Sequence, residues 1–534
     1  MGKRIIAIFL AFIFAFTGLI GKLYLINFES EFKEASAAKR RYAVEVDKSR
    51  AYIYDRNLKP LVNEEYAYKA SINPTPESVN LILNEKAADN KEKFLTKAQE
   101  NKPFVYAVNS NKLYSPQINV HKVIRRYSDN QSAPQIIGHL DYSGNGAMGV
   151  EKAFDSYLDG YSGKITDSFA VSLFGENDNE NIDTYKEGYG DKHGIVLTLD
   201  RDIQQIVLNA CQKGMTKGGA VVMDVNSGDI LAAVSLPQFN PNNLDEAMKN
   251  PDKPFYNRAF APTNLGSAFK IVVASCALEK GIDISQIYEC KGYERVGETL
   301  YHCQNIYGHG KLNMVEAMEK SCNPYFINLA RAAGVQNICH KAMQLGFGCS
   351  FELMPDYFTP KGKLPSYTEL EDEGEAANFS FGQGTMTASP LQVCQMVSAV
   401  ANGGKAVIPR LIEGFSDDGK VISKYEPVKI GERVIEERIA KKLQRLMISV
   451  VENGSGKNAK PKEGGAGGKT GSAQTGIYDE NGEEMVQAWF TGFYPTKKPM
   501  YAITIMAEGG NSGGKVCAPI FKEICDNLAV VNIK

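Results

Sequence analysis

The chain opens on an almost unbroken apolar run. Residues 5–20 are apolar apart from Thr17 and Gly18, the run resumes after Gly21-Lys22 in Leu23-Tyr24-Leu25-Ile26, and it stops at Asn27. A helix needs about 20 apolar residues to cross a bilayer. The pattern therefore predicts a transmembrane helix, with Lys22 reaching the interface along its own methylene stem. Lys3 and Arg4 precede the run and put the N-terminus in the cytoplasm. Ala35-Ser36-Ala37 fits the small-residue pattern of a signal-peptide cleavage site. The charged stretch at residues 29–34 separates it from the apolar core, and the run is longer than a signal core. We therefore read residues 1–28 as a cytoplasmic tip and an uncleaved anchor, with the rest of the chain outside.

Beyond the anchor the pattern is mixed. Residues 43–46 and 51–54 read as short strands, residues 77–100 as a polar, lysine-containing helix, and the acidic residues 177–191 as a linker or exposed loop. The character changes near residue 193. Residues 195–199 form a strand, and Asp200 caps a helix over 203–215. Residues 220–225 and 230–235 flank Asn226-Ser227-Gly228-Asp229, a hairpin signature. Helical periodicity dominates residues 267–450. Strands return at 468–473, 488–493 and 500–506, and a last helix covers 518–530. An early hairpin, a helical middle and late strands predict an antiparallel sheet completed by both ends of one domain. The expected class is α+β. A central antiparallel sheet flanked by helices fills residues 193–534, a mixed α/β domain fills 29–192, and one transmembrane helix precedes both.

Composition narrows this picture in two ways. A formal net charge of −2 over 534 residues leaves no electrostatic footprint for nucleic acid, so no such partner is expected. Ten cysteines in so long a chain, with no CxxC, do not make a disulfide scaffold; several lie in apolar helical contexts and read as buried small hydrophobes. Cys290 and Cys303 flank a polar loop and would close a disulfide if oxidised outside the cell. His302 and His309 lie beside them, which raises zinc. The spacing fits no standard finger, so the segment reads as an ordinary polar loop and neither metal nor cofactor is expected. Glu151 reads as structural, and the acidic residues 369–375 as a solvated loop.

Three short stretches carry candidate chemistry. In Gly266-Ser267-Ala268-Phe269-Lys270, residues three apart share one helix face, so Ser267 and Lys270 lie side by side. Ser267 sits near a helix start, where backbone N–H groups are unpaired and negative charge is favoured. Ser321-Cys322-Asn323-Pro324 places a hydroxyl and a carboxamide on a turn between helices, with Cys322 packed away from them. Lys469-Thr470-Gly471-Ser472 follows a glycine run and opens a strand, where the missing side chain lets a substrate backbone approach. Each pattern is common alone. In this order within one domain they form the motif set of β-lactamases and penicillin-binding proteins.

With these motifs in place, the chain resembles a class B penicillin-binding protein, a membrane-anchored peptidoglycan transpeptidase. Arg50-Ala51-Tyr52-Ile53-Tyr54-Asp55-Arg56-Asn57 resembles the family's motif after the anchor, with Ala51 where Gly is usual. Arg126-Tyr127, Ile137-Gly138, Gly149-Val150-Glu151 and Leu158-Asp159-Gly160 resemble the rest of the N-terminal pedestal. Ser380-Phe381-Gly382-Gln383-Gly384, Ser389-Pro390-Leu391-Gln392 and Trp489-Phe490-Thr491-Gly492-Phe493 match further blocks. Leu265 departs from the proline that commonly precedes Gly-Ser.

The resemblance implies a D,D-transpeptidase in a bacterial cell membrane that cross-links stem peptides drawn from a lipid-linked precursor. It implies Ser267 as nucleophile, Lys270 as base, Ser321 as proton relay, Asn323 as a hold on Lys270 and the substrate amide, and Lys469 with Thr470 as the carboxylate site. Gly471 and Ser472 complete the strand wall, with Ser267 and Ser472 supplying oxyanion N–H groups. β-Lactams would acylate the same serine. A separate, polytopic glycan polymerase is the implied partner. The alternatives are a D,D-carboxypeptidase, which passes the acyl group to water, and a non-enzymatic cell-wall scaffold or β-lactam sensor.

Overall fold

The computed structural model describes residues 2–28, 41–170, 182–425, 428, 430–478, 482 and 484–531. The apolar run forms the helix Gly2–Phe28, which is long and apolar enough to cross a membrane. The chain divides into two compact units.

The first unit comprises Met1–Ala51, Asn63–Arg126 and Gly160–Asp191. In one antiparallel sheet Gly163–Ala170 lies between Arg41–Ser49 and Asp183–Glu187. In another, Glu65–Ile72 lies between Phe104–Val108 and Ile118–Arg125. The expected helix over 77–100 is two helices, Pro76–Asn84 and Lys91–Ala98. The break has a local cause: Lys86 turns the chain with φ +51°, and Asn90 caps a new helix by accepting the Lys93 N–H. Ile82 and Phe94 pack the pair onto the second sheet. The buried Asp167 carboxylate accepts from His121 Nε2 (2.7 Å), Thr184 Oγ1 (2.7 Å), Asn119 Nδ2 (3.2 Å) and Ser71 Oγ, so a charge among strands has its hydrogen-bonding capacity filled. Of the linker expected at 177–191, residues 177–181 lie outside the described ones, and Asp183–Glu187 is a strand.

The second unit comprises Tyr52–Val62, Tyr127–Asp159 and Lys192–Lys534, so the division does not fall at residue 192. Two early segments are tied into it by hydrogen bonds. Strand Tyr52–Tyr54 pairs in parallel with Gly194–Leu197, and the Asp55 carboxylate accepts the backbone N–H groups of Asn57, Lys59 and Arg201. The Gln135 amide donates to the carbonyls of Ser235, Pro237 and Pro254. Glu151 is buried and accepts the Tyr127 hydroxyl at 2.9 Å, a structural role.

Its centre is a five-stranded antiparallel sheet of β1 (Gly218–Asp224), β2 (Ile230–Leu236), β3 (Gly467–Tyr478), β4 (Glu484–Tyr494) and β5 (Tyr501–Ala507), in the spatial order β2-β1-β5-β4-β3. The early hairpin and the late strands join where β5 pairs with β1, Val221 opposite Thr504. The helices around the sheet and its edge include α1 (Arg201–Gly214), α2 (Lys270–Glu279), α3 (Met314–Glu319), α4 (Asn323–Ala333), α5 (Pro390–Ala401), α6 (Glu437–Glu452) and α7 (Cys517–Val531). Strand alternation splits the side chains between two faces. Ala220, Val222, Val234, Ile503 and Ile505 meet α1 and α7 through Val207, Phe521 and Ile524. The opposite face takes α5, whose Cys394 thiol reaches the carbonyl of Ala502 at 3.2 Å and whose residues are all buried.

The helical reading of 267–450 is interrupted by short antiparallel pairs rich in aromatic and β-branched residues. They include Tyr288–Cys290 with Gly310–Leu312, Tyr293–Val296 with Thr299–His302, Glu352–Met354 with Tyr357–Phe358, and Lys405–Val407 with Ile430–Arg433.

Phe521 is fully buried, its ring centroid 4.7 Å from that of Phe490. Phe521→Ala is expected to destabilise the second unit by about 3–5 kcal/mol through lost burial and the cavity left behind. A chemical denaturation midpoint measured beside the parent chain checks this.

Candidate active site

Gly266–Phe269 is a tight 3-10 turn, and α2 begins only at Lys270. The expected α-helical start is thus one turn tighter, but side chains three apart align in a 3-10 turn too, and Ser267 and Lys270 keep a common side. Gly266 is required on two counts. Its φ is +63°, and a Cβ there would lie 2.7 Å from the carbonyl oxygen of Ser472. Ser267 is half-buried, and its hydroxyl makes no hydrogen bond among the described residues. The expected neighbour Lys270 is fully buried, as is most of α2, which explains why that helix shows no polar face.

Lys270 Nζ donates to Asn323 Oδ1 and to the Ser321 carbonyl, both at 2.7 Å, and lies 3.3 Å from Ser321 Oγ. Lys469 Nζ donates to the same Ser321 Oγ at 2.9 Å and to its neighbour Thr470's carbonyl at 2.9 Å. One hydroxyl is therefore held between two buried lysines that are far apart in sequence. The turn that presents it is a helix-ending motif. After α3, the N–H of Ser321 bonds to the carbonyl of Met318 and the N–H of Cys322 to that of Ala317. This is the Schellman pattern, in which a left-handed residue closes the helix. That residue is usually glycine; here it is Ser321, with φ +53°. A non-glycine residue there costs about 1–2 kcal/mol. Two residues on, Asn323 starts α4 with Pro324 in its first turn, where a missing N–H costs nothing.

Burial lowers the Lys270 amine from its ordinary range to about 7. Burial, and then the charge of Lys270, hold Lys469 well below its ordinary value. In a dry site two neighbouring ammonium groups repel strongly, so double protonation is disfavoured. The ring of Phe326 lies 5.3 Å from Lys270 Nζ and offers its face to whatever charge develops there.

Lys469, Thr470, Gly471 and Ser472 lie on β3, the edge strand of the sheet, beside the 3-10 turn. Gly471 is needed for space: a Cβ would stand 2.9 Å from the Leu265 carbonyl oxygen and 3.0 Å from the Trp489 Cβ. The same tryptophan donates its indole N–H to the Asn264 carbonyl at 2.8 Å, tying the segment before Ser267 to the sheet. Thr470 Oγ1 shares a hydrogen bond with Ser455 Oγ at 2.9 Å, and Ser472 Oγ accepts the Gly513 N–H at 3.3 Å. Ser455 was not singled out from the sequence. It lies in Asn453-Gly454-Ser455-Gly456, which reads as an ordinary loop after a helix.

Cys322, read as packed away, is fully buried between the two motif residues. Its sulfur joins those of Cys290 and Cys303 and a ring nitrogen of His309 in a cluster whose atoms all lie within 4.8 Å of one another. The polar-loop reading of this segment is thus corrected: two hairpins fold the loop onto the start of α4. Cys290 and Cys303 are free thiols. His302 contributes its carbonyl, which accepts Asn323 Nδ2–H at 3.3 Å.

The sequence model of the penicillin binding protein transpeptidase domain matches residues 218–526. Among curated relatives, stage V sporulation protein D of Bacillus subtilis is 28% identical over 435 residues, 77% of this chain and 65% of that protein. The peptidoglycan D,D-transpeptidase MrdA of Acinetobacter baumannii is 26% identical over 564 residues, 92% of this chain and 82% of that protein. A chain from a solved peptidoglycan synthase complex superposes with a TM-score of 0.69 at 22% identity, covering 99% of both chains.

The left-handed turn yields a prediction that separates backbone strain from the hydroxyl. Ser321→Gly is expected to be more stable than Ser321→Ala by about 1 kcal/mol, because both lose the hydroxyl and only glycine relieves the strain. Equilibrium denaturation of the two variants checks it.

Proposed function

The chain belongs to the penicillin-binding protein transpeptidase family, and on that footing we propose that it is a peptidoglycan D,D-transpeptidase working through an acyl-enzyme on Ser267. The observation that carries this reading is the Ser321 hydroxyl, held at 2.9 Å by Lys469 and 3.3 Å by Lys270, both fully buried. The relative named as a peptidoglycan D,D-transpeptidase supports the substrate class.

The chemistry follows from where protons can reside. A neutral amine has two N–H groups and one lone pair. The two 2.7 Å contacts of Lys270 use both hydrogens and leave the lone pair to accept the Ser267 proton. Ser267 Oγ then attacks the penultimate D-Ala carbonyl of a stem peptide. The N–H groups of Ser267 and Ser472 receive the oxyanion; losing one such donor typically costs about 3–4 kcal/mol. The proton passes from Lys270 through Ser321 Oγ to the departing D-Ala nitrogen as the C–N bond breaks. Asn323 orients Lys270 and the substrate amide. Lys469 and Thr470 hold the terminal carboxylate, and the open edge of β3 takes the peptide as an added strand. An amine from a second stem peptide then attacks the ester. It gives its proton back along the same route, and Ser267 is released.

Residues 193–534 carry this transpeptidase domain, with Tyr52–Val62 and Tyr127–Asp159 in the same compact unit, and the remainder of 29–192 forms a pedestal. The basic tip stays cytoplasmic while everything beyond the anchor lies outside. A polytopic glycan polymerase is the partner this organisation calls for, and the similarity to a chain of a peptidoglycan synthase complex supports it.

A fluorescent penicillin is expected to label the full chain covalently at Ser267, as located by peptide mass mapping, and Ser267→Ala is expected to abolish labelling. Full labelling of that variant would remove the nucleophile assignment. Acyl transfer to an added amine, measured against hydrolysis, separates transpeptidase from carboxypeptidase.

The pH dependence follows from the lowered Lys270. The base must be neutral, so the labelling rate rises as pH increases through about 7 and levels off above it. Lys270→Ala is expected to cut the rate by about 100-fold or more and to erase that inflection. Stopped-flow acylation across pH measures both.

A further inference from the structure

Resting on the acyl-enzyme reading, we propose that Glu375 is a positioning residue for acylation, whose carboxylate clasps the segment that joins the turn bearing Ser267 to the wall bearing Asn323.

The acidic residues 369–375, expected as a solvated loop, run into the short helix Glu373–Phe379. Asp372 caps it by accepting the Glu375 N–H at 2.8 Å. The Glu375 side chain is directed at one neighbour. Its Oε1 accepts the N–H of Thr385 at 3.0 Å and the hydroxyl of Thr385 at 2.8 Å. The intervening backbone lies directly against it, since a Cβ on Gly384 would stand 2.7 Å from each carboxylate oxygen. Among the described residues no cationic side chain pairs with Glu375. A half-buried carboxylate met by two donors of a single residue ten positions on is a clasp on a loop, not a member of a surface ion-pair network. Hydrogen bonds to an ionised acceptor are roughly twice as strong as neutral ones.

The clasped loop runs back to the nucleophile. The carbonyl of Gly382 accepts the N–H of Gly266, the residue before Ser267, at 2.8 Å. Beyond Thr385, Ala388 and Thr263 exchange both backbone hydrogen bonds, each of 2.9 Å. Residues 263–266 are thus pinned at both ends, and Thr385 lies between the two pins. At the end of the same short helix, Phe379 packs on Phe269 of the 3-10 turn, with ring centroids 4.8 Å apart and both side chains fully buried.

The start of the helix reaches the other wall. The Tyr301 hydroxyl donates to the carbonyl of Gly374, beside Glu375, at 3.1 Å. His302, the next residue, offers its carbonyl to Asn323 Nδ2 at 3.3 Å. Ala377 and Ile327 of α4 share one apolar cluster. Segment 374–385 therefore touches both the turn that presents Ser267 and the helix that begins at Asn323.

That span matters for the first step. Ser267 gives its proton to Lys270, and Asn323 holds Lys270 at 2.7 Å. The approach of the two groups depends on the 3-10 turn on one side and on Asn323 on the other. A misplacement of about 1 Å between reacting groups costs about 100-fold in rate. Lys469 and Thr470, which take the substrate carboxylate, stand on β3 outside these contacts, so binding is spared while the chemical step suffers.

In the full chain, Glu375→Ala is expected to slow acylation of Ser267 by saturating fluorescent penicillin about tenfold or more. The apparent dissociation constant, measured across penicillin concentrations, is expected to change by less than about twofold. Glu375→Gln keeps an oxygen at the same reach for both Thr385 donors and is expected to stay within about threefold of the parent rate. Glu375→Asp keeps the charge, loses the reach and is expected to be as slow as Glu375→Ala. Thr385→Val removes the hydroxyl and keeps the N–H; it is expected to slow acylation less than Glu375→Ala and to add nothing to it in the double variant. Amide hydrogen exchange is expected to quicken at residues 263–269 in Glu375→Ala and to stay unchanged at residues 517–531.

Parental acylation in folded Glu375→Ala would overturn the proposal. So would equal losses in Glu375→Ala and Glu375→Gln, or a loss that falls on the dissociation constant instead of the limiting rate. If Glu375→Ala does not fold, the contrast between Glu375→Gln and Glu375→Asp decides it. A parent chain that is not acylated at Ser267 removes the transpeptidase reading instead, and the exchange measurement, which needs no acylation, then decides the clasp alone.

Discussion

Two lysine side chains, Lys270 and Lys469, are withdrawn from water around a single hydroxyl, and the rest of the catalytic unit is arranged to make that tolerable. A buried ammonium group without compensation is strongly disfavoured. Here each amine is met by carbonyl or hydroxyl oxygens, and each discourages the other from carrying a proton. The result is an amine near neutrality in a place where an exposed lysine would stay charged. α2 is buried from Lys270 to Leu278, so Lys270 sits in a mostly apolar surrounding. β3 lies at the sheet edge, and from it Lys469 reaches inward.

The geometry is held largely by the main chain. Gly266 and Gly471 let β3 and the 3-10 turn meet backbone to backbone, and the Trp489–Asn264 hydrogen bond fixes their separation. On the other side the helix-ending turn sets Ser321, and the start of α4 sets Asn323. Two of the three motifs thus sit at junctions between elements, where a few residues fix direction more tightly than a mid-helix position would, and the third lies near the start of β3.

Much of this was legible from the chain. The hairpin around Asn226-Ser227-Gly228-Asp229 and the late apolar segments carry period-2 patterns, so the antiparallel sheet was foreseeable. The three motifs were readable because they are short and local. What escaped depended on contacts or on missing signals. Ser321 takes a left-handed position with no glycine to announce it. Ser455 meets Thr470 from a loop with no chemical signature. Residues 77–100 break at a cap, Asn90, too weak to outweigh their helical composition. Of the cysteine–histidine cluster, Cys290, Cys303 and His309 were noticed and set aside on their spacing, while Cys322 was missed because nothing local brings it to them. Without the hairpins, Cys290 and Cys322 are merely distant. The boundary at residue 192 misses that Tyr52–Val62 and Tyr127–Asp159 fold with the later unit, since hydrogen bonds such as those of Asp55 and Gln135 leave no mark on local periodicity.

The backbone wall between β3 and the 3-10 turn has a further consequence for how such an enzyme evolves under an inhibitor. A codon change can alter a side chain, but this wall has none at Gly266 or Gly471, and any it acquired would collide with main-chain atoms. On the proposed mechanism Lys270 and Lys469 are barred as well. The heritable routes to discrimination between a drug and a stem peptide therefore run through the mouth of the cleft and the stiffness of the segments behind it. A lineage under selection would accumulate several mild changes there before it altered a single atom that touches the scissile bond.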